Sequence, residues 1–319
     1  MSSGGVPLVA ADAGSADQRA AREKRSVALS SVAGAVVLTG MKLVVGLMTG
    51  SLGILSEAAH SALDLVAAVV TFFAVRVSAR PADREHTYGH GKVENLSALF
   101  ETLLLLATCV WIVKEAIDRL FHRHVEVEAT VWAFAVMVIS IVIDVSRSRA
   151  LSRVAKKYDS QALEADALHF STDIWSSAVV LVGLALVVVA QRTGLVWLQR
   201  ADAVAALGVA MIVVWVSVRL GRRTIAALLD EIPHGTRDEV QRALRLPGVT
   251  EVVRVRLRRS GADAFADVTL RVPRETTLAS GHAIADAAEL AVQRILPGAD
   301  VMVHVEPAGV EAPKATPAP

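Results

Sequence analysis

The sequence predicts an α-helical membrane protein with six transmembrane helices, followed by a small αββαβ domain outside the bilayer. Three observations lead there. The 319 residues are 53% hydrophobic with a formal charge of only +1, a composition that suits a membrane protein better than a soluble enzyme. Six apolar stretches approach or exceed the roughly 20 residues needed to cross a hydrocarbon core. After Pro233 the long apolar stretches give way to short strand-like and helix-like runs.

Taken in order, residues 1–24 begin small, polar and rich in Ala, Gly and Ser. They lack the basic start and apolar core of a cleavable signal and are expected to form a disordered tail. The membrane domain, 25–224, holds spans from Val27 to Thr49, Leu52 to Val77, Leu96 to Leu120, Thr130 to Val145, Ala162 to Ala190 and Ala203 to Leu220. The fourth is short and runs on into a polar stretch beyond Asp144. Basic residues gather on one side of the spans: Arg19, Arg22, Lys24 and Arg25; Arg76, Arg80, Arg84 and Lys92; Arg147, Arg149, Arg153, Lys156 and Lys157; and Arg219, Arg222 and Arg223. The opposite side receives only Arg119, Arg123, Arg192 and Arg200. The positive-inside rule then predicts that both termini are cytoplasmic.

A linker, 225–233, leads to the domain at 234–308. Thr236 to Leu246 reads as a helix stopped by Pro247-Gly248. Alternating Val253, Val255 and Leu257 predict a strand, and Val268, Leu270 and Val272 a second, joined at Ser260-Gly261. Ala279 to Leu296 has helical spacing, and Val301 to Val305 reads as a third strand. Residues 309–319, rich in Pro and Ala, are expected to be a second tail.

Composition excludes several functions. Net charge near zero gives no support to a nucleic-acid partner. The one cysteine, Cys109, permits neither an intrachain disulfide nor a thiolate zinc site, so any metal chemistry must use His and carboxylate. An enzyme is disfavoured because no nucleophile or oxyanion-forming motif accompanies the polar residues of the spans.

Those polar residues carry the functional signal. His60-x-x-x-Asp64 lies in the second span and His169-x-x-x-Asp173 in the fifth. A separation of four places each His and Asp on one helix face. Two such faces turned toward each other would offer two imidazoles and two carboxylates, a tetrahedral set suited to zinc. The alternative is that each pair only hydrogen-bonds between helices. Against it stands the cost of an Asp near mid-membrane, about 2.5 to 3.5 kcal/mol on insertion scales, met twice at one offset from a His. Metal binding needs neutral His and ionised Asp, so protons and metal compete for the same atoms. Glu57, Glu101 and Asp144 are further intramembrane acids for which this pattern supplies no repeated partner, and their roles stay open.

In the loop between the second and third spans, Asp83, His86 and His90 have donor types that suit a cation, with Gly89 and Gly91 permitting a tight backbone. The other reading is a solvated loop that caps the third helix.

With the paired HxxxD motifs, six spans and a C-terminal αββαβ domain, the chain resembles the cation diffusion facilitator family. The resemblance covers about residues 25 to 308 and is most specific in SLGILSEAAHSALD and RPADREHTYGHGKVE. It implies a homodimeric metal/proton antiporter with a metallochaperone-like cytoplasmic domain, lying in a bilayer that composition suggests is a bacterial inner membrane. His60, Asp64, His169 and Asp173 match the family's transport ligands, and a His at the first position resembles the zinc-preferring members. Zn²⁺ is thus expected as transported and regulatory ion, with no catalytic cofactor. Asp83, His86 and His90 match the family's loop site. Lys92 and Asp230 match a charge interlock near the dimer interface. In the cytoplasmic domain His282, His304 and Glu306 match metal positions, but Val253 and Thr269 stand where some members carry His, which puts a full metal cluster in doubt. Two alternatives remain: a membrane sensor or dimeric scaffold that binds zinc without moving it, and an exporter whose main ion is iron, cobalt, nickel, cadmium or manganese.

Overall fold

The computed structural model describes residues 9–50, 52–121, 131–193 and 198–309. Six long helices come first: α1 (Val9–Thr49), α2 (Leu52–Ser78), α3 (Lys92–Phe121), α4 (Val131–Tyr158), α5 (Gln161–Thr193) and α6 (Leu198–Leu228). They are followed by α7 (Thr236–Ala243), β1 (Glu251–Ser260), β2 (Asp263–Val272), α8 (Leu278–Ile295) and β3 (Asp300–Pro307). The chain divides into two compact units, one ending at Ile225 and one starting at Ala226.

The first unit is a helical transmembrane domain with its polarity reversed relative to a water-soluble bundle. Large apolar side chains face outward, Val110 at 69% and Met211 at 72% exposure among them. Ser31, Lys42, Thr71, Glu101, Asp166 and His169 are buried. Lipid tails are as apolar as Leu, so helices here associate through small residues and buried polar bonds. Ala28, Ala68, Ala162 and Ala167 accordingly sit in one core cluster with Phe170 and Leu151. Among the described residues, Gln18–Thr49, Glu57–Ser78 and Lys92–Val110 combine the length and hydropathy of a bilayer crossing. α1 packs on α2 and α4, α5 packs on α2, α3 and α4, and α6 joins through clusters such as Ala98, Ala165 and Leu220.

Two expectations about this unit need correction. The segment 1–24 is not a tail throughout, because α1 begins at Val9. The run ADQRAAREK is composed largely of good helix formers. It is also tied down: Lys24 pairs with Glu94 at 2.7 Å, and Glu23 accepts from Lys157 and Tyr158 at 2.6 Å. Glu94 further accepts from Ser78 at 2.9 Å and from Ser160, so one buried carboxylate links α1, α2, α3 and the turn before α5. The fourth helix likewise does not stop near Val145 but continues to Tyr158. Arg147, on this continuation, is buried among the helices. Residues 1–8 and 310–319, parts of the expected tails, lie outside the described residues, as does Arg123.

The second unit forms a three-stranded sheet in the order β1-β2-β3, with β1 and β2 antiparallel and β2 and β3 parallel. A parallel neighbour requires a crossover, which α8 supplies. Val240, Leu244, Val255, Val268, Leu270 and Val292 fill the core between sheet and helices. The predicted alternation in β1 fails at one place. A bulge between Val252 and Arg254 shifts the register, leaving Val252 packed against the core and Val253 37% exposed. The extra residue reverses the sides that follow from strict alternation. At the start of this unit the chain turns through Asp230, whose φ of 62° is left-handed, while Glu231 N–H bonds back to Ala226 C=O at 2.9 Å. This is the reversal expected after a helix end, with Pro233 preventing its continuation.

Candidate metal centre

The four histidine and aspartate residues of α2 and α5 meet inside the helical unit. His169 Nε2 lies 3.1 Å from Asp64 Oδ1 and 3.7 Å from Asp173 Oδ2. His60 Nε2 lies 3.9 Å from Asp173 Oδ1 and 4.0 Å from Asp64 Oδ1. Nitrogen and oxygen thus alternate around a closed ring, each helix contributing one of each. The i, i+4 spacing sets the two donors of each helix on one face, and the packing of α2 on α5 turns the faces together. His169 is 1% exposed and His60 22%, so one wall of the ring is sealed by protein and the other is partly open. Asp64, His169 and Asp173 already offer donors within 4.8 Å of one another, and an inward movement of His60 would complete a four-coordinate set.

Polar residues around the ring include several the sequence reading passed over. Glu57, read as an acid without a repeated partner, has one in Asp166: each precedes its His by three residues, extending the motif to acid-x-x-His-x-x-x-Asp in both helices. Comparing the two segments over eight residues instead of five would have found it. Lys42 of α1 donates to Ser61 at 2.7 Å and to Glu57 at 3.2 Å. Arg147 of α4 donates to Ser31 at 3.1 Å and Asp144 at 3.2 Å, and lies 3.6 Å over the Phe170 ring. Ser31 in turn donates to Asp166 at 3.2 Å. Glu101, fully buried, accepts from Thr71 at 2.9 Å.

The loop residues also converge. Asp83 Oδ1 lies 3.2 Å from His86 Nδ1, Asp83 Oδ2 lies 3.3 Å from His90 Nε2, and the two rings are 4.5 Å apart. Asp83 Oδ1 also accepts from the backbone N–H groups of His86 at 2.6 Å and Glu85 at 2.9 Å. These bonds, the His86 amide first, hold its carboxyl below the usual carboxylate range, against a smaller opposing effect of burial. Gly89, at φ 74°, makes the reversal that brings His90 back to the start of α3. One face of three donors, more open than the membrane ring, results.

The residues singled out in the C-terminal unit do not converge in this way. His282, on α8, is 78% exposed and stands 3.8 Å from Asp286. His304, on β3, is 67% exposed, stands 3.6 Å from Glu306 and pairs in register with Thr269. Glu306 is also approached by Arg271 at 3.8 Å. Among the described residues the triplets of closely grouped donors are Asp64 with His169 and Asp173, and Asp83 with His86 and His90.

Comparison with known proteins bears on the whole chain. Residues 28–229 match the cation efflux transmembrane domain, and 232–308 match the cytoplasmic domain of cation efflux proteins. The chain belongs to the cation diffusion facilitator family. Among relatives, an uncharacterised transporter of Synechocystis, sll1263, is 33% identical over 297 residues, covering 92% of this chain and 93% of the relative. The cation-efflux pump FieF of Klebsiella pneumoniae is 31% identical over 291 residues, covering 90% and 93%. A solved structure of the MamM C-terminal domain is 30% identical, covers 23% of this chain and 92% of that one, and superposes with a TM-score of 0.22. As a member of this family the protein is a cation efflux transporter of the membrane, with a C-terminal domain of the type that dimerises.

Proposed function

We propose that the protein exports Zn²⁺ from the cytoplasm in exchange for protons, by alternating access of the α2–α5 ring, as a homodimer with both termini cytoplasmic in a bacterial inner membrane. The observation that carries this reading is the alternation of His60, Asp64, His169 and Asp173 around one point, with nitrogen-to-oxygen separations from 3.1 to 4.0 Å. Two imidazoles favour zinc over manganese, which prefers oxygen-rich sites. The absence of thiolate from the ring favours release, which a carrier needs as much as capture. Protons evict the ion because the same nitrogen and oxygen atoms must lose protons to bind it. In this account the Asp83, His86 and His90 triplet is a cytoplasmic cation site that feeds or senses the ion. The C-terminal unit serves dimer stability, with His282, His304 and Glu306 as a weak regulatory site.

The test is metal-driven proton flux in proteoliposomes over a panel of divalent ions, comparing the native chain with Asp173→Ala. Zinc drives the largest flux in the native protein and none in the variant. A protein that binds zinc yet moves neither zinc nor protons would instead be a sensor or scaffold.

A further inference from the structure

The extended motif has a structural counterpart on the neighbouring helices. Each ligand-bearing turn is held by a buried cation from the helix packed beside it, and the two grips share a plan. On α2, Lys42 of α1 bonds to the acid three residues before His60 and to Ser61, the residue just after it. On α5, Arg147 of α4 reaches the acid three residues before His169 through Ser31, and its guanidinium covers Phe170, the residue just after it. In both cases one helical turn is fixed at its two ends with the His between them. Both cations are nearly sealed, with side-chain exposures of 8% for Lys42 and 6% for Arg147.

Each cation has a carboxylate partner outside the ring: Glu57 at 3.2 Å for Lys42 and Asp144 at 3.2 Å for Arg147. A buried cation is costly unless paired and hydrogen-bonded, so two of them packed beside the two histidine turns point to a task other than filling space. The backbone also makes room for one of them. A Cβ at Gly34 of α1 would stand 2.8 Å from Arg147 Cδ, too close for both to stay in place.

We propose that Lys42 and Arg147 are positioning residues that hold His60 and His169 at the spacing of a small tetrahedral ion, and so set the preference for zinc over larger, oxygen-seeking ions. The proposal rests on the reading of the α2–α5 ring as the transport site. Loss of a partner that orients a metal ligand costs about 10- to 100-fold in affinity or activity. A loosened ring loses more with an ion that demands tetrahedral geometry than with one that does not.

The experiment measures kcat/KM for zinc and for manganese in proteoliposomes containing matched amounts of native chain, Arg147→Met, Arg147→Lys, Lys42→Met and Gly34→Ala. The zinc-to-manganese ratio falls about tenfold or more in the two Met variants, mainly through a higher KM for zinc. Arg147→Lys recovers part of the ratio, keeping the charge but not the flat stack on Phe170. Gly34→Ala, which displaces Arg147 without removing any donor, shifts the ratio in the same direction. It keeps the test decisive should a Met variant fail to reconstitute. A native ratio in Gly34→Ala and in whichever Met variants reconstitute overturns the proposal. His169→Ala, measured alongside, separates the two levels: if it transports zinc like the native chain, the ring itself is not the transport site and the underlying reading has failed.

Discussion

The histidines of the membrane unit and those of the C-terminal unit are the same side chain under opposite constraints. His169 is 1% exposed and shares its surroundings with two carboxylates, whereas His282 is 78% exposed beside a single aspartate at 3.8 Å. In hydrocarbon a polar group persists only where something compensates its desolvation, so its presence carries information. In water a histidine costs nothing and conveys little. Position within the solvent, more than residue type, decides which histidine signals chemistry.

That contrast can be broken or sharpened by experiment. The largest expected effect is at the membrane ring, where Asp64→Ala or Asp173→Ala abolishes zinc flux while leaving the helical content seen by circular dichroism intact. Next is the core of the C-terminal unit. Leu270 is fully buried, and Leu270→Ala costs about 2 to 5 kcal/mol, read as faster amide exchange along β2 in the full-length protein. At the open loop the effect is smaller: His86→Ala raises the zinc KM a few-fold, with kcat unchanged. The loop also has a defined acid response. Because the Asp83 carboxyl sits below its ordinary range when folded, its turn contributes stability above that range, and loses it as pH falls through the lowered value. The Asp83 carboxyl carbon resonance therefore titrates at a lower pH than that of an aspartate in an unfolded peptide. The smallest effect is at the exposed C-terminal histidine: His304→Ala changes stability by no more than about 0.5 kcal/mol.

Much of the architecture was legible because the bilayer imposes a coarse rule. A stretch of about 20 apolar residues must cross it as a helix. The paired HxxxD motifs were legible for the same reason, since a carboxylate at that depth stands out. What escaped was structure whose cause lies in packing. The continuation of α4 past Val145 is written in polar residues that make a good helix but no hydropathy signal. The burial of Arg147 depends on Gly34 and Phe170, which lie on other helices, so no reading along α4 alone could anticipate it. Asp166 was hidden by its Ala-rich surroundings and by a motif window that began at the His. The bulge in β1 escaped because Val253 satisfies the strand alternation that the extra residue interrupts.

The most direct measurement is a double-mutant cycle across the two helices, with zinc kcat/KM determined for His60→Asn, Asp173→Asn and the pair. Side chains that enclose one ion act as a unit, and the account predicts that the second substitution adds little once the first is made. Losses that multiply, each variant costing the same whether or not the other is present, would mean that α2 and α5 do not share an ion.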